Sequence, residues 1–495
     1  MGKKWGVGVG ELPPTILATT IESFALMMSE KNSFKFFSDL KYVVIDEVHS
    51  LINSKRGELL TLNLGRLKIF CKDLKLILLS ATVADPKITS RYFCSDSKEI
   101  IFANVKKLMS VKILKTSKKL PWSGHMADHS REAIYKMILK KKCIIFVNTR
   151  AQAELLYQNL WKINSSNLKI ALHHGSLEKK LRMNVEQKMS NGEIDCIVAT
   201  SSLEMGLDWS NIQLVIQVGA PKGVTRLIQR IGRSNHTLKG TSEAILVPTN
   251  RFEFVECYAA LVALEKKDLD LSPEREGSID VLAQHILGVA CSTAFDINEL
   301  YKSIINVWPY RNLDKKTFLK IIDFLKDGGY SLKIYQQFSK LKEVSPGRYQ
   351  ISSDKFIKQY RLNVGTIIES QMLCVKLNNK ILGNIEDWFI QKLSPGDTFL
   401  FGGKVLSFIS LELNIVKVKA SKSNNPKIPS YAGGRMPLST QLSTNVKKII
   451  NKESIWNSFP KEVRDWLHLQ KKKSSIPPLE GLFIECFPRK NHNNK

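Results

Sequence analysis

Seven short apolar runs, each closing on a cluster of polar residues, constrain the fold of this 495-residue chain more than any other feature. Tyr42–Ile45 ends at Asp46-Glu47-Val48-His49, and residues 76–79 end at Ser80-Ala81-Thr82. Residues 144–147, 170–172, 197–199, 214–218 and 244–247 repeat the pattern. Apolar runs of this length without polar alternation read as strands buried on both faces, the habit of parallel sheets. Helical periodicity fills the gaps, for example over residues 151–161 and 177–189. Strand and helix therefore alternate, which predicts α/β layers. Ligands of such sheets bind beyond the carboxyl ends of the strands, and the polar clusters stand at those ends.

The charge balance adds a partner. The chain has 74 Lys+Arg against 46 Asp+Glu, a net charge of +28, which favours a polyanion through phosphate contacts and counterion release. A Lys-rich solvated surface is the plainer alternative. The eight cysteines are scattered without a C-x-x-C pair, so they read as isolated thiols in a reducing cytosol rather than as a zinc ribbon. No apolar run is long enough to cross a bilayer and no signal peptide is evident. The expectation is a cytoplasmic protein with no membrane partner.

Residues 105–130, rich in Lys, read as the connection between two sheets. From Ser278 three helical patterns (279–292, 297–307 and 315–326) and an alternating stretch after Gly328-Gly329-Tyr330 suggest a winged helix. From about 344–347 the chain turns to strands bounded by Gly and Pro, a β-rich domain, and residues 440–470 return to helix. The expected divisions are 1–104, 105–255, 256–345, 346–438 and 439–495.

The motifs carry recognisable chemistry. Asp46 can serve a hydrated Mg²⁺ and Glu47 can polarise an attacking water, with His49 behind them. Ser80, Ala81 and Thr82 close the next strand, where hydroxyls suit the linking of a nucleotide site to motion. Gln229, Arg230 and Arg233 lie on a helical stretch after strand 214–218, where a guanidinium can act as an arginine finger. Asn148-Thr149-Arg150 and His173-His174-Gly175-Ser176 close two further strands, and helix starts of this kind bind nucleic-acid phosphates. The His pair lacks a third metal ligand nearby. Thr19-Thr20-Ile21-Glu22 is a similar loop or a plain turn.

Together these residues resemble superfamily 2 DExH-box helicases, and more closely the Lhr-like helicases. The segments VIQVGAPKGVTRLIQRIGRSNH, IDVLAQHILG, WPYRNLDKKTFLKIIDFLKDGGY and PKIPSYAGGRMPLST are similar to the ligase-associated branch of that family. The resemblance implies tandem RecA-like domains, the first incomplete, followed by a winged helix and a β-rich domain. It implies ATP and Mg²⁺ as cofactors, with Asp46 facing the metal. It implies single-stranded or tailed duplex DNA as substrate, and a DNA ligase-linked repair system as a possible partner. By position, Gly206 and Asp208 would contact nucleotide, and Thr20, Glu22, Asn148, Thr149, Arg150, His174, Gly175, Thr200 and Ser201 would contact nucleic acid. Many relatives outside the Lhr group carry a third Arg where His236 stands, and the branch usually has Pro where Ile21 stands.

One departure is large. No G-x-x-x-x-G-K-[ST] loop occurs in the 495 residues, although the resemblance places one ahead of Pro13. Neither Trp5 to Gly10 nor Gly402-Gly403-Lys404-Val405 completes the motif. The chain also stops short of the β-strands that end such proteins. Three readings stay open: a DNA helicase whose N-terminal piece is a separate polypeptide or is lost from the gene model, an inactive nucleic-acid-binding remnant, and an RNA helicase. Because P-loop amides and lysine supply most of the grip on the β- and γ-phosphates, the purified 495-residue chain is predicted to hydrolyse ATP feebly or not at all. A phosphate-release assay at saturating single-stranded DNA checks this, and DNA-stimulated turnover at an ordinary enzymatic rate would contradict it.

Overall fold

A computed structural model describes the chain apart from residues 1–12, 95–98, 103–107, 116–117, 125–126, 205–208, 210–211, 236–239, 271–273, 330–337, 366–371, 432–436 and 487–495. Two units form, each from two separated stretches: 1–102 with 271–368, and 103–270 with 369–495.

In the first unit, strands Tyr42–Ile45 and Lys75–Leu78 pair in parallel, with Val44 opposite Ile77. Strand geometry sends alternate side chains to opposite faces. Val43, Ile45, Leu76 and Leu78 pack into a core with Leu60, Leu64 and Leu67 of helix Lys55–Phe70. On the other face Tyr42, Val44, Ile77 and Leu79 stay 55%, 56%, 41% and 46% exposed. The expectation of strands buried on both faces is therefore corrected here. Among the described residues this sheet has two strands and one packed face.

Helix Lys55–Phe70 starts where Ser54 caps the Gly57 amide at 3.1 Å. Gly57 is needed there, since a Cβ would stand 2.0 Å from the Leu51 carbonyl oxygen. The helix is buried on two sides. Its Leu59 and Leu62 belong to a second core with Val281, Leu282 and Ile286 of helix Ile279–Ser292. Buried polar groups tie the same seam: the Glu58 carboxylate accepts from the Ser278 amide at 2.9 Å, and Arg66 donates to the Met28 carbonyl at 2.7 Å and to Ser292.

Helices Ile279–Ser292, Ile297–Ile305 and Lys315–Asp327 are followed by the hairpin Leu341–Ser345/Arg348–Ile351, which pairs antiparallel with Phe295–Asp296 from between the first two helices. This is the winged helix read from the sequence. The hairpin Leu341–Ser345/Arg348–Ile351 crosses the boundary expected at 345. Helix Asp354–Leu362 also belongs with it, its Tyr360 hydroxyl lying against Gly288. The signal at 344–347 is thus the turn of the wing hairpin rather than the start of a new domain.

The second unit holds six parallel strands in the order Met109–Ile113, Ser242–Val247, Leu214–Val218, Cys143–Phe146, Cys196–Ala199, Ile170–His173. Strands 143–146, 196–199 and 214–218 are buried throughout, as their apolar runs require. Met109–Ile113 corrects the reading of residues 105–130 as a connection alone. It is an edge strand, so one side of its MSVKI pattern faces solvent and no continuous apolar run marks it. Helices Thr440–Ile450, Glu453–Trp456 and Lys461–Lys473 share a core with helix Arg251–Lys266, which runs across the boundary expected at 255.

A five-stranded sheet, in the order Lys380–Glu386, Met372–Leu377, Ile415–Ala420, Lys404–Glu412, Thr398–Phe401, completes this unit. It is pinned to the parallel sheet's loops at two places. The Glu178 amide donates to the Leu382 carbonyl at 3.0 Å and the Asn384 amide to the Ser176 carbonyl at 2.8 Å. The buried Glu154 carboxylate accepts from the Gly402 and Gly403 amides at 2.6 and 2.7 Å. Gly402 and Gly403 have φ of +62° and +71°, which turns both N–H groups toward one anion. The Gly-Gly-Lys segment is thus a nest filled by an internal carboxylate.

No helix among the described residues is long and apolar enough to cross a membrane. The cysteines are free thiols: five are buried, Cys94 and Cys374 half-buried, and Cys486 exposed.

His285, enclosed in the seam of the first unit, has its pKa pushed down to about 3 by burial, with the Arg66 charge adding to the effect. A depressed histidine pKa stabilises the fold fully above the ordinary value of about 6.5. That contribution is lost as pH falls toward 3, because the unfolded chain takes the proton first. The melting temperature of the parent should therefore fall more steeply between pH 6.5 and 4 than that of His285→Gln. Parallel curves would contradict the assignment.

Candidate functional site

In the first unit the acidic box and the Ser-Ala-Thr turn sit at adjacent strand ends, because Tyr42–Ile45 and Lys75–Leu78 run in parallel register. The Leu79 amide donates to the Ile45 carbonyl at 2.9 Å and the Val48 amide to the Leu79 carbonyl at 3.1 Å. Asp46 is exposed, and its Oδ1 accepts from the Glu47 amide at 2.8 Å. Glu47 has a left-handed backbone, φ +51°, uncommon for a residue with a side chain and a form of strain concentrated at functional loops. His49 joins the two motifs, with Nδ1 2.9 Å from Ser80 Oγ and 3.3 Å from Glu47 Oε2. Burial lowers the His49 pKa against the pull of Glu47 and Asp46, which favours the neutral ring at pH 7. Thr82 is buried, its amide 3.4 Å from Ser80 Oγ, while Ala81 is exposed.

Thr20 caps helix Ile21–Met28 by accepting from the Ser23 amide at 3.2 Å and is exposed. Glu22 forms a two-pronged pair with Arg56, at 2.7 and 3.0 Å. That hydrogen bond is the main reason its pKa lies below the ordinary carboxylate value. Glu22 thus anchors this loop to helix Lys55–Phe70.

In the second unit the parallel register sets Phe146 beside Ala199 on one flank and Gln217 on the other. The loops that follow these strands meet as a consequence. Asn148 Nδ2 donates to the Ala220 carbonyl at 2.9 Å, and Thr149 forms a capping box with Gln152. Arg150 donates to Ser176 Oγ at 2.8 Å and lies over the Tyr431 ring at 5.2 Å. His174 is fully buried with Nε2 3.1 Å from the Glu154 carboxylate. His173 is held by Ser202 and Glu186 at 2.8 and 2.9 Å. Thr200 is buried, whereas Ser201, Gly175 and Thr149 are exposed. Burial corrects the expectation of side-chain contact with nucleic acid at His174. At this cluster Thr149, Gly175 and Ser201 are the most open, with Asn148 and Arg150 half-buried.

Arg230 departs most from expectation. It is 1% exposed and donates to Glu204 Oε1 at 2.8 Å through Nε, with further bonds to Glu204 and Gln217 Oε1. Its guanidinium stands 5.1 Å over the Phe146 ring. The Arg230 guanidinium is thus engaged inside its own unit, by Glu204 and Gln217. Gln229 and Arg233, on the same stretch, are half-buried. Glu204 also lies 3.4 Å from the half-exposed Arg226, so one carboxylate holds two arginines of helix Val224–Ile231. Gly206 and Asp208 lie outside the described residues. Glu204, Gln217, Glu154 and Arg56 were not singled out from the sequence. The signal available for Glu204 was a lone acid just after the strand-end Thr200-Ser201-Ser202, with two arginines four residues apart, Arg226 and Arg230, on a later helical stretch.

With this geometry in view, comparison with known proteins gives a consistent result. Family models describe residues 6–89 as a DEAD/DEAH box helicase, 125–236 as a helicase conserved C-terminal domain, and 262–428 as the winged helix domain of large helicase-related protein. The ATP-dependent helicase Lhr-Core of Methanocaldococcus jannaschii is 31% identical over 494 residues, covering 96% of this chain and 58% of that protein. Lhr-Core of Sulfolobus acidocaldarius is 33% identical, covering 91% and 53%. The chain belongs to the Lhr-like helicase family. It spans a little over half the length of these curated relatives. The structure of Mycobacterium smegmatis helicase Lhr bound to ssDNA and AMP-PNP superposes with a TM-score of 0.68 at 23% identity, over 93% of this chain and 58% of that one. The tandem RecA-like and winged-helix architecture is therefore that of Lhr-like proteins.

Removing Arg230 would leave Glu204 buried without its main partner, a loss worth about 3–5 kcal/mol for a buried pair. Arg230→Ala should therefore lower the melting temperature far more than Arg226→Ala, whose partner contact is partly solvated. Equal shifts in a thermal melt would show that Arg230 is not the structural member of the pair.

Proposed function

We propose that this chain is the main body of an ATP-driven DNA helicase or translocase of the Lhr-like type, acting on single-stranded or tailed duplex DNA. The observation that carries the reading is the His49 bridge between the acidic box and the Ser-Ala-Thr turn, which makes one network of residues suited to hydrolysis and residues suited to coupling. The kinship with proteins named ATP-dependent helicase Lhr-Core supports it, as does the net charge of +28. A fold relative is seen with ssDNA and AMP-PNP.

In this reading Asp46 serves the Mg²⁺ of Mg-ATP, whose role is to neutralise charge on the phosphates. Its exposed carboxylate at a strand end suits a hydrated cation. Glu47 orients water, His49 and Ser80 relay the state of the site, and Arg233 and Gln229 take the finger role. Thr149, Gly175 and Ser201 present hydroxyls and backbone amides to DNA phosphates, and Thr20 does so in the first unit. In this reading a second polypeptide supplies the phosphate-gripping loop, and the face of the two-stranded sheet exposed among the described residues suits added strands. A place in DNA repair beside a ligase rests on the similarity of four sequence segments alone.

The test mixes the chain with a polypeptide carrying the P-loop strand and helix of an Lhr-like protein and measures ATP hydrolysis with and without oligo-dT. DNA-stimulated turnover should arise only in the mixture and should vanish with Glu47→Gln. Tight oligo-dT binding with no turnover in the mixture would favour the inactive nucleic-acid-binding remnant. Stimulation by oligo-U but not oligo-dT would favour an RNA helicase.

A further inference from the structure

Away from the strand-end loops, the second unit carries a group of aromatic rings that no motif explains. Trp122, Phe252 and Trp466 come from three separate parts of the chain. Trp122 and Phe252 meet with centroids 6.0 Å apart at 78°, and Phe252 and Trp466 at 4.6 Å and 66°. Trp122 and Phe252 are 49% and 43% exposed, and Trp466 is half-buried. Large rings left this open at one place are uncommon on soluble proteins and mark binding surfaces.

The group is held in position. The Leu120 amide donates to Glu462 Oε1 at 2.8 Å, and the Arg251 amide donates to the Pro121 carbonyl at 3.2 Å. The Trp122 loop is thereby fixed to helices Arg251–Lys266 and Lys461–Lys473 at once. Phe252 stands in the first turn of the former and Trp466 in the middle of the latter.

Its charge is positive. The Arg251 guanidinium lies 4.9 Å from the Trp122 ring centroid. Arg251 and Lys119 both act on the Glu462 carboxylate, which is already bound to a backbone amide. Helix Lys461–Lys473, sequence KEVRDWLHLQKKK, has five Lys/Arg against two acids, although Lys471 is held by Glu453. Rings with interleaved cations favour a ligand that is both flat and anionic. Single-stranded nucleic acid supplies both, since every base has a stacking face and every linkage a phosphate.

We infer that Trp122, Phe252 and Trp466, with Arg251 and Lys119, form a stacking site for single-stranded nucleic acid, separate from the strand-end loops. The bases lie against the rings, and Arg251 and Lys119 face the backbone. This rests on the reading of the chain as a nucleic-acid-binding protein but assigns a surface which that reading does not use.

The test measures binding of the intact chain to fluorescein-labelled oligo-dT and oligo-U, by anisotropy and by quenching of tryptophan fluorescence. Trp122→Leu and Phe252→Leu keep apolar packing but remove the π faces, so the fold survives, as an unchanged thermal melt would confirm. Each should weaken oligo-dT binding about tenfold, and Trp122→Leu should lose part of the quench. Arg251→Gln should weaken binding and reduce the salt slope by about 1. Equal losses on oligo-U would mark the site as sequence- and sugar-tolerant, and losses on oligo-dT alone would mark it as selective for DNA. Parent-like affinity and quenching in all three variants would overturn the inference while leaving the proposed function intact. Concentration-dependent self-association that buries the rings and excludes the oligonucleotide would also overturn it. A parent chain that binds neither oligonucleotide would overturn both readings.

Discussion

The parallel register of the six-stranded sheet is the constraint on which the second unit depends. With Phe146 level with Ala199 and Gln217, the loops after three neighbouring strands reach the same height. The Arg230–Glu204–Gln217 cluster can then close beneath them. A slip of one residue would move every side chain of a strand to the other face. It would remove Gln217 from Arg230 and leave a buried charge under-paired. The accessible residues of the loops are thus presented by a layer that is itself polar and closed.

A similar economy holds elsewhere. Glu58, Glu154 and Glu204 are buried carboxylates, and each joins segments far apart in sequence. Glu154 unites a helix of the parallel sheet, the His174 ring and the Gly402-Gly403 turn of the five-stranded sheet. Glu58 does the same between helix Lys55–Phe70 and the start of the winged helix. Charge-assisted bonds of this kind contribute about 1.5–3 kcal/mol each when made and cost more when a partner is removed. They define seams more sharply than apolar contact alone, which tolerates sliding.

The architecture was largely legible in the sequence, since strands buried on both faces leave continuous apolar runs and helices leave a periodic stripe. The helix at Ile279–Ser292 and the strands Tyr42–Ile45 and Leu214–Val218 were read to the residue. Met109–Ile113 was missed because an edge strand needs only one covered side. The wing hairpin was cut at its turn because Gly347 marks a turn within a domain as readily as one between domains. At the candidate site residue types were legible, but their orientation was not. The sequence could not show that Arg230 is buried against Glu204, or that His174 is fully enclosed.

By itself the sequence determined the family, the order of the layers and the absence of a P-loop motif from these 495 residues, because those depend on local pattern and residue identity. Tertiary structure decided which polar residues are spent inside the protein and which remain for a ligand. That division turns on burial and on partners from distant segments, as at Glu204 with Arg230, His49 with Ser80, and Trp122 with Phe252 and Trp466. No spacing along one chain encodes it, because it comes from three-dimensional packing, where a charge without a partner cannot stay buried.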